Sequence, residues 1–137
     1  MALKVGDVVP QFTSQTTDGS FFESTEYIGK KPLVIYFYPK DNTRVCTVQA
    51  CGFRDQYEDF KAFDAEVIGI SSDSISSHQK FANQYQLPFI LLSDSKKLLR
   101  KLFGVPNDLL GILPGRVTYI IDKHGIIQLI FLNPTIV

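Results

Sequence analysis

The chain has 137 residues, of which 45% are hydrophobic and 12% aromatic, and its 14 basic and 14 acidic side chains cancel. A chain of this size and composition forms one globular domain rather than a disordered segment. Without a basic stripe, nucleic acid is not an expected partner. The apolar runs fall well short of the ~18 residues that span a bilayer, so no membrane segment is expected.

The N-terminus lacks a signal-peptide pattern, which predicts a cytosolic, reducing location. Two cysteines are too few for a disulfide scaffold, and their closeness points to redox or metal chemistry.

In chain order, Met1 to Val9 is mildly apolar and ends at Pro10. Phe12 to Thr17 and Ser20 to Phe22 flank Asp18-Gly19, a strong turn signal, and predict an N-terminal hairpin. Leu33 to Tyr38 is an unbroken apolar run that predicts a buried central strand. Pro39 cannot continue a sheet ladder and ends it. A helix is predicted from about Arg44 toward Phe60, with Thr43 as N-cap. Glu66 to Ser71 predicts a second buried strand, Ser76 to Tyr85 a helix, and Phe89 to Leu92 a third strand. Asp94 caps a helix through Phe103 with Leu98, Leu99 and Leu102 as its apolar face, and Gly104 stands at its C-terminal end. Asn107 to Gly115 reads as an unusually apolar loop containing Leu109, Leu110, Ile112 and Leu113. Val117 to Ile121 and Ile126 to Phe131 flank Asp122-Lys-His-Gly125 as a second hairpin. His78 and His124 read as surface residues. This order predicts an α/β fold with a central mixed sheet flanked by helices.

The chemistry concentrates in Tyr36 to Asp55. Cys46 falls in the first turn of the predicted helix, where unpaired backbone N–H groups and the helix dipole favour a thiolate. Cys51 lies five residues on, about 500° around the helix and roughly 8–9 Å away between Cα atoms. A disulfide requires less than about 7 Å. The pair can therefore bond only if part of the helix unwinds. A zinc site from the two cysteines and a histidine is disfavoured by spacing and ligand count.

The segment Pro39-x-x-x-Thr43-x-x-Cys46 resembles the active-site pattern of peroxiredoxins, thiol peroxidases with a thioredoxin-like fold. Cys51, Phe53-Arg54-Asp55 and the preceding Tyr36-Phe-Tyr-Pro-Lys-Asp41 resemble the Q type, also called bacterioferritin comigratory protein. Gly6-Asp7-x-x-Pro10-x-Phe12 is similar to that family's opening, and Gly115-Arg116 through Asp122 to its arginine-bearing strand. The resemblance covers essentially the whole chain. It implies a peroxidatic Cys46 that attacks a peroxide to give a sulfenic acid, and a resolving Cys51 that closes an intramolecular disulfide. Thr43 would hydrogen-bond the peroxide, Pro39 would shield the site, and Arg116 would stabilise the thiolate and the leaving oxygen. Thioredoxin or a similar dithiol would reduce the disulfide of a monomeric enzyme, and no metal, flavin or haem is implied.

Three features depart from the family pattern. Arg44-Val45 replaces Pro-Gly after the threonine, removing a preorganised first turn and adding a β-branched side chain near the substrate approach. Gln49 replaces a glutamate, keeping hydrogen bonding to the arginine without the charge. The chain stops after its last strand, where the family has a helix, so Ile126, Ile130 and Ile136 are expected to be partly exposed. The second reading, drawn from Arg44, Val45 and Gln49, is a thioredoxin-like redox-sensing or binding domain with weak turnover.

Overall fold

The computed structural model describes residues 3–105, 107–108, 113–114 and 116–133. The N-terminal hairpin forms as expected, β1 (Thr13–Thr16) with β2 (Phe21–Glu23), and Ser24–Glu26 adds a 3₁₀ turn. The chain continues through β3 (Leu33–Phe37), α1 (Arg44–Asp55), α2 (Tyr57–Ala62), β4 (Glu66–Ser71), α3 (Ile75–Tyr85), β5 (Ile90–Ser93) and α4 (Leu98–Phe103). Two short strands, β6 (Asn107–Asp108) and β7 (Leu113–Pro114), then precede β8 (Arg116–Ile121) and β9 (Ile127–Asn133).

Seven strands form one mixed sheet in the order β2-β1-β5-β4-β3-β8-β9. The strands β3, β4 and β5 are parallel, and the outer pairings are antiparallel. Alternation along β3 explains the two cores, because successive side chains leave a strand on opposite faces. Leu33, Ile35 and Phe37 enter one cluster with Ile68, Ile70, Phe103 and Tyr119. Val34 and Tyr36 enter the other, with Tyr38, Cys46, Ala50, Phe81 and Leu91. That second cluster places α1 and α3 on one face of the sheet, with Cys46 at its edge.

Three local expectations change. The predicted helix from Arg44 toward Phe60 is two helices, broken at Gln56, where φ is −104° and ψ is 8°. Phe53, Tyr57 and Phe60 pack on the same cluster across the break, so their helical spacing carries no sign of it. In α4 the buried stripe is Leu99 and Phe103, while Leu98 and Leu102 are exposed. Asp94 still caps this helix, accepting from the N–H groups of Leu99 (2.9 Å) and Arg100 (3.0 Å). The apolar loop is replaced, at 107–108 and 113–114, by a short antiparallel ladder. Leu109, Leu110, Ile112, Gly115 and Ile136 lie outside the described residues. Ile126 and Ile130 are half-buried, as expected, and Leu129 and Phe131 are about half exposed at 52% and 50%.

Candidate active site

Thr43 occupies the N-cap position of α1 with extended backbone, and its carbonyl accepts from Thr47 N–H at 2.8 Å. Its hydroxyl does not cap the helix. It donates instead to the carbonyl of Lys40 (3.1 Å), tightening the loop ahead of α1. Cys46 follows in the first turn and is 2% exposed. Cys46, Ala50 and Phe53 share the inward stripe of α1, against Tyr36 and Tyr38. Cys51 lies off that stripe and is half-buried, and both cysteines are free thiols. Both sit within the one continuous helix 44–55, so the helical geometry that separates them holds.

Arg116 reaches the cysteine from 70 positions away because of strand register. In the antiparallel β3–β8 pair, Phe37 faces Val117, so Arg116 stands one residue further, where β3 ends and the loop to α1 begins. Its Nη2 donates to Cys46 Sγ at 3.4 Å and to Gln49 Oε1 at 3.1 Å. The residue is 6% exposed. Among the described residues no carboxylate pairs with it, and its buried Nε–H has no partner. Gln49, one turn along α1 from Cys46, thus orients the guanidinium through a neutral bond. A buried cation next to a cysteine in the first turn of a helix can partner a thiolate and an oxyanion.

Other residues of interest lie just before α1 and along it. Pro39 is half-buried just past β3, Arg44 is exposed, Val45 is half-buried, and Val48 is exposed. Arg54 bonds Asp55 (3.0 Å) and also the carbonyl of Tyr85 (2.8 Å), so it braces α1 against α3. Beneath Cys46, burial above all, together with the nearby negative charge of Cys46 and Asp41, pushes the Tyr36 hydroxyl well above the ordinary phenol range. Tyr36 therefore remains a neutral ring, and its hydroxyl has no partner. Gly69 is its cross-strand partner, and a Cβ there would stand 2.8 Å from Tyr36 Cζ.

His78 is not a surface residue. It is fully buried, 2.7 Å from Asp41 and 3.0 Å from the carbonyl of Leu92. The serines around it suggest a solvated segment, but Ser71 and Ser77 turn inward to bond Asp73 and Asp41. No sequence signal links Asp41 to His78 across 37 positions; only the packing of α3 on the sheet joins them. His124 is exposed in its turn, as expected. Asp41, Asp73 and His78 bring potential metal-ligating atoms within 4.8 Å of one another. Internal hydrogen bonds already occupy these atoms, and the cluster acts as a polar network.

The AhpC/TSA family profile matches residues 5–130. The chain belongs to the AhpC/TSA family. Within this family it falls among the Q-type peroxiredoxins, as the sequence resemblance implied. Peroxiredoxin Q of Gentiana triflora is 56% identical over 128 residues, spanning 93% of this chain and 58% of that protein. Peroxiredoxin Q of Sedum lineare is 52% identical and is covered to 68% of its length. The chain thus spans about three fifths to two thirds of these curated relatives. Among solved peroxiredoxin structures, peroxidoxin BcpB of Mycobacterium tuberculosis superposes with a TM-score of 0.86 at 32% identity, covering 95% of this chain and 86% of that one. A cysteine-to-serine variant of PrxQ from Xylella fastidiosa gives 0.89 at 26% identity, covering 98% and 89%. The thioredoxin-like peroxiredoxin fold follows. The cytosolic expectation is corrected, since the Gentiana, Populus, Sedum and Arabidopsis relatives are all named chloroplastic and point to a plastid. The physical reason is that composition and core describe how a peroxiredoxin domain folds, whereas its cellular address is read from separate targeting segments.

Proposed function

We propose that this chain is a thiol peroxidase in which Cys46 is the peroxidatic and Cys51 the resolving cysteine. The Cys46 thiolate attacks one peroxide oxygen, breaking the O–O bond to give a sulfenic acid and RO⁻, which takes up a proton and leaves as alcohol or water. The Cys51 thiolate then attacks the sulfenic sulfur, forming a disulfide and expelling hydroxide. Because both cysteines lie on α1, the first turn of that helix unwinds for this step. A dithiol reductant of the thioredoxin type supplies two electrons and returns both thiols.

The observation that carries this reading is the 3.4 Å contact of Arg116 Nη2 with Cys46 Sγ, in a site buried from solvent. The same guanidinium is placed to receive negative charge as it moves from sulfur to the leaving oxygen. Gln49 orients it. Thr43 spends its proton on Lys40, leaving its oxygen lone pairs to accept the peroxide proton. Pro39 limits water at the mouth of the site. Hydrogen peroxide and organic hydroperoxides are the substrate class. A bacterioferritin comigratory protein of Xanthomonas campestris, 26% identical, is described for alkyl peroxide reduction, which supports the organic arm. Both redox cysteines belong to one helix, so the disulfide needs no second chain, which supports a monomeric enzyme.

The test is stopped-flow oxidation of the reduced protein by one equivalent of peroxide, followed by intact mass. The expected result is fast oxidation to a product about two mass units lighter, with Cys46→Ser inert. Oxidation no faster than that of a free thiol overturns the reading. It would instead favour a redox-sensing or binding domain with weak turnover, whose motivating observation is Arg44-Val45 at the edge of the site.

A further inference from the structure

Between Tyr38 and Cys46, Asp41 is the single buried side chain, and the residues around it from Pro39 to Val45 are half-buried or exposed. Asn42 beside it adopts a left-handed backbone with φ 61°. The lead into α1 is therefore pinned at one point. Asp41 Oδ1 accepts from the Tyr38 hydroxyl at 2.6 Å, and Oδ2 accepts from Ser77 Oγ at 2.8 Å. Its backbone N–H donates to Asp73 Oδ2 at 2.7 Å. The fourth partner is His78 Nδ1, 2.7 Å from Oδ2.

The hydrogen-bond accounting around His78 closes. Its Nε2 faces the carbonyl of Leu92 at 3.0 Å. A carbonyl only accepts, so Nε2 carries a proton. One proton then lies between Nδ1 and Asp41 Oδ2. The pair is neutral in sum, as imidazolium with carboxylate or as imidazole with acid. That neutrality allows both ionisable groups to be buried. The link runs from β5, through α3, to the loop that delivers Cys46, and the peroxidase chemistry uses neither residue.

We infer that His78, acting through Asp41, is a positioning residue for Cys46, clamping the loop ahead of α1 so that the thiolate meets peroxide beside Arg116. This rests on the peroxidase reading given above. The same clamp marks where unwinding stops. When the first turn of α1 opens to bring Cys46 toward Cys51, residues N-terminal to the turn stay fixed at Asp41. Loosening the clamp slows peroxide attack, which needs a set geometry, but does not slow disulfide formation, which needs an open one.

His78→Leu and His78→Asn separate this role from plain stability. Both lose the bond to Leu92, while the asparagine amide restores an N–H near the place of Nδ1. Two rates are read in each variant by stopped flow: peroxide attack on Cys46 and the subsequent closure of the disulfide. Attack is expected to slow about tenfold or more in H78L, since small misplacements cost rate steeply. Closure is expected not to slow, and H78N recovers most of the lost rate of attack. If H78L does not fold, Ser77→Ala removes one donor to Asp41 and is expected to slow attack about threefold. The inference is overturned if H78L attacks at the wild-type rate, or if H78L and H78N fall together. For S77A, attack at the wild-type rate with unchanged amide exchange over residues 40–46 overturns it. Failure of the peroxidase reading is seen separately, as wild-type protein that consumes no peroxide.

Discussion

Replacing Arg116 by methionine sets activity against stability. The side chain keeps most of its volume, is shortened and loses its charge. In the native site one nitrogen, Nη2, contacts both Cys46 Sγ at 3.4 Å and Gln49 Oε1 at 3.1 Å. Removing a donor aimed at developing charge in a buried site lowers rate by about 10²–10³, or about 2.7–4 kcal/mol on the barrier. Stability is expected to move differently. Arg116 is 6% exposed, lacks a carboxylate partner among the described residues, and buries an unbonded Nε–H. Such an unmet donor costs about 1–3 kcal/mol, and an apolar replacement of similar volume removes that cost. The Gln49 carbonyl loses a partner but is half-buried and can turn to water. Arg116→Met should therefore react with peroxide about two to three orders of magnitude more slowly, while its urea midpoint under reducing conditions holds or rises. The assays are stopped-flow oxidation with a peroxide series and equilibrium urea unfolding. A variant within a few-fold of wild type in rate would refute the role given to Arg116. A variant slow only in proportion to lost stability would refute the separation of the two effects.

Cys51→Ser should stop the reaction at the sulfenic acid, seen as a product about sixteen mass units heavier rather than two lighter. Gly69→Ala places a Cβ 2.8 Å from Tyr36 Cζ and 2.9 Å from Leu91 Cδ2 in a packed core; a loss of about 1–3 kcal/mol in urea unfolding is expected. The Ser20 hydroxyl first, then the Thr16 hydroxyl and the Ser20 N–H, hold the Asp18 carboxyl down to about 2 from its ordinary 3.8. A carboxyl held low in the folded state adds stability that is complete above the unfolded value and is lost as pH falls through the folded one. An NMR titration of the Ser20 amide should thus show its midpoint near 2, and a midpoint at 3.8 would refute the hairpin-turn geometry.

Local chemistry explains why much of the fold was legible. The run from Leu33 to Tyr38, stopped by Pro39, could only be a buried strand with a hard end. Asp18-Gly19 and Asp122-Lys-His-Gly125 marked their turns by local residue preference. Cys46 was legible because its distinguishing feature, a place in the first turn of a helix, is a property of nearby residues. The break at Gln56 was not legible, since Phe53, Tyr57 and Phe60 keep helical spacing on both sides of it. Nor was the buried stripe of α4, where four apolar residues competed and the docking angle on the sheet chose Leu99 and Phe103.

By itself, then, the sequence determined the strand–helix order, the family, and the cysteine pair with its separation along one helix. The order and the separation depend on periodicity, turn chemistry and spacing, which act over a few residues, and the family rests on the resemblance of its motifs. Outside the family resemblance, which implied Arg116, tertiary structure decided which distant side chains meet Cys46 and hold its loop. The antiparallel register of β3 and β8 carries Arg116 to the sulfur, and the seating of α3 against the sheet brings His78 to Asp41. Such meetings depend on how whole elements pack, and a residue's own neighbours in the chain carry no record of that.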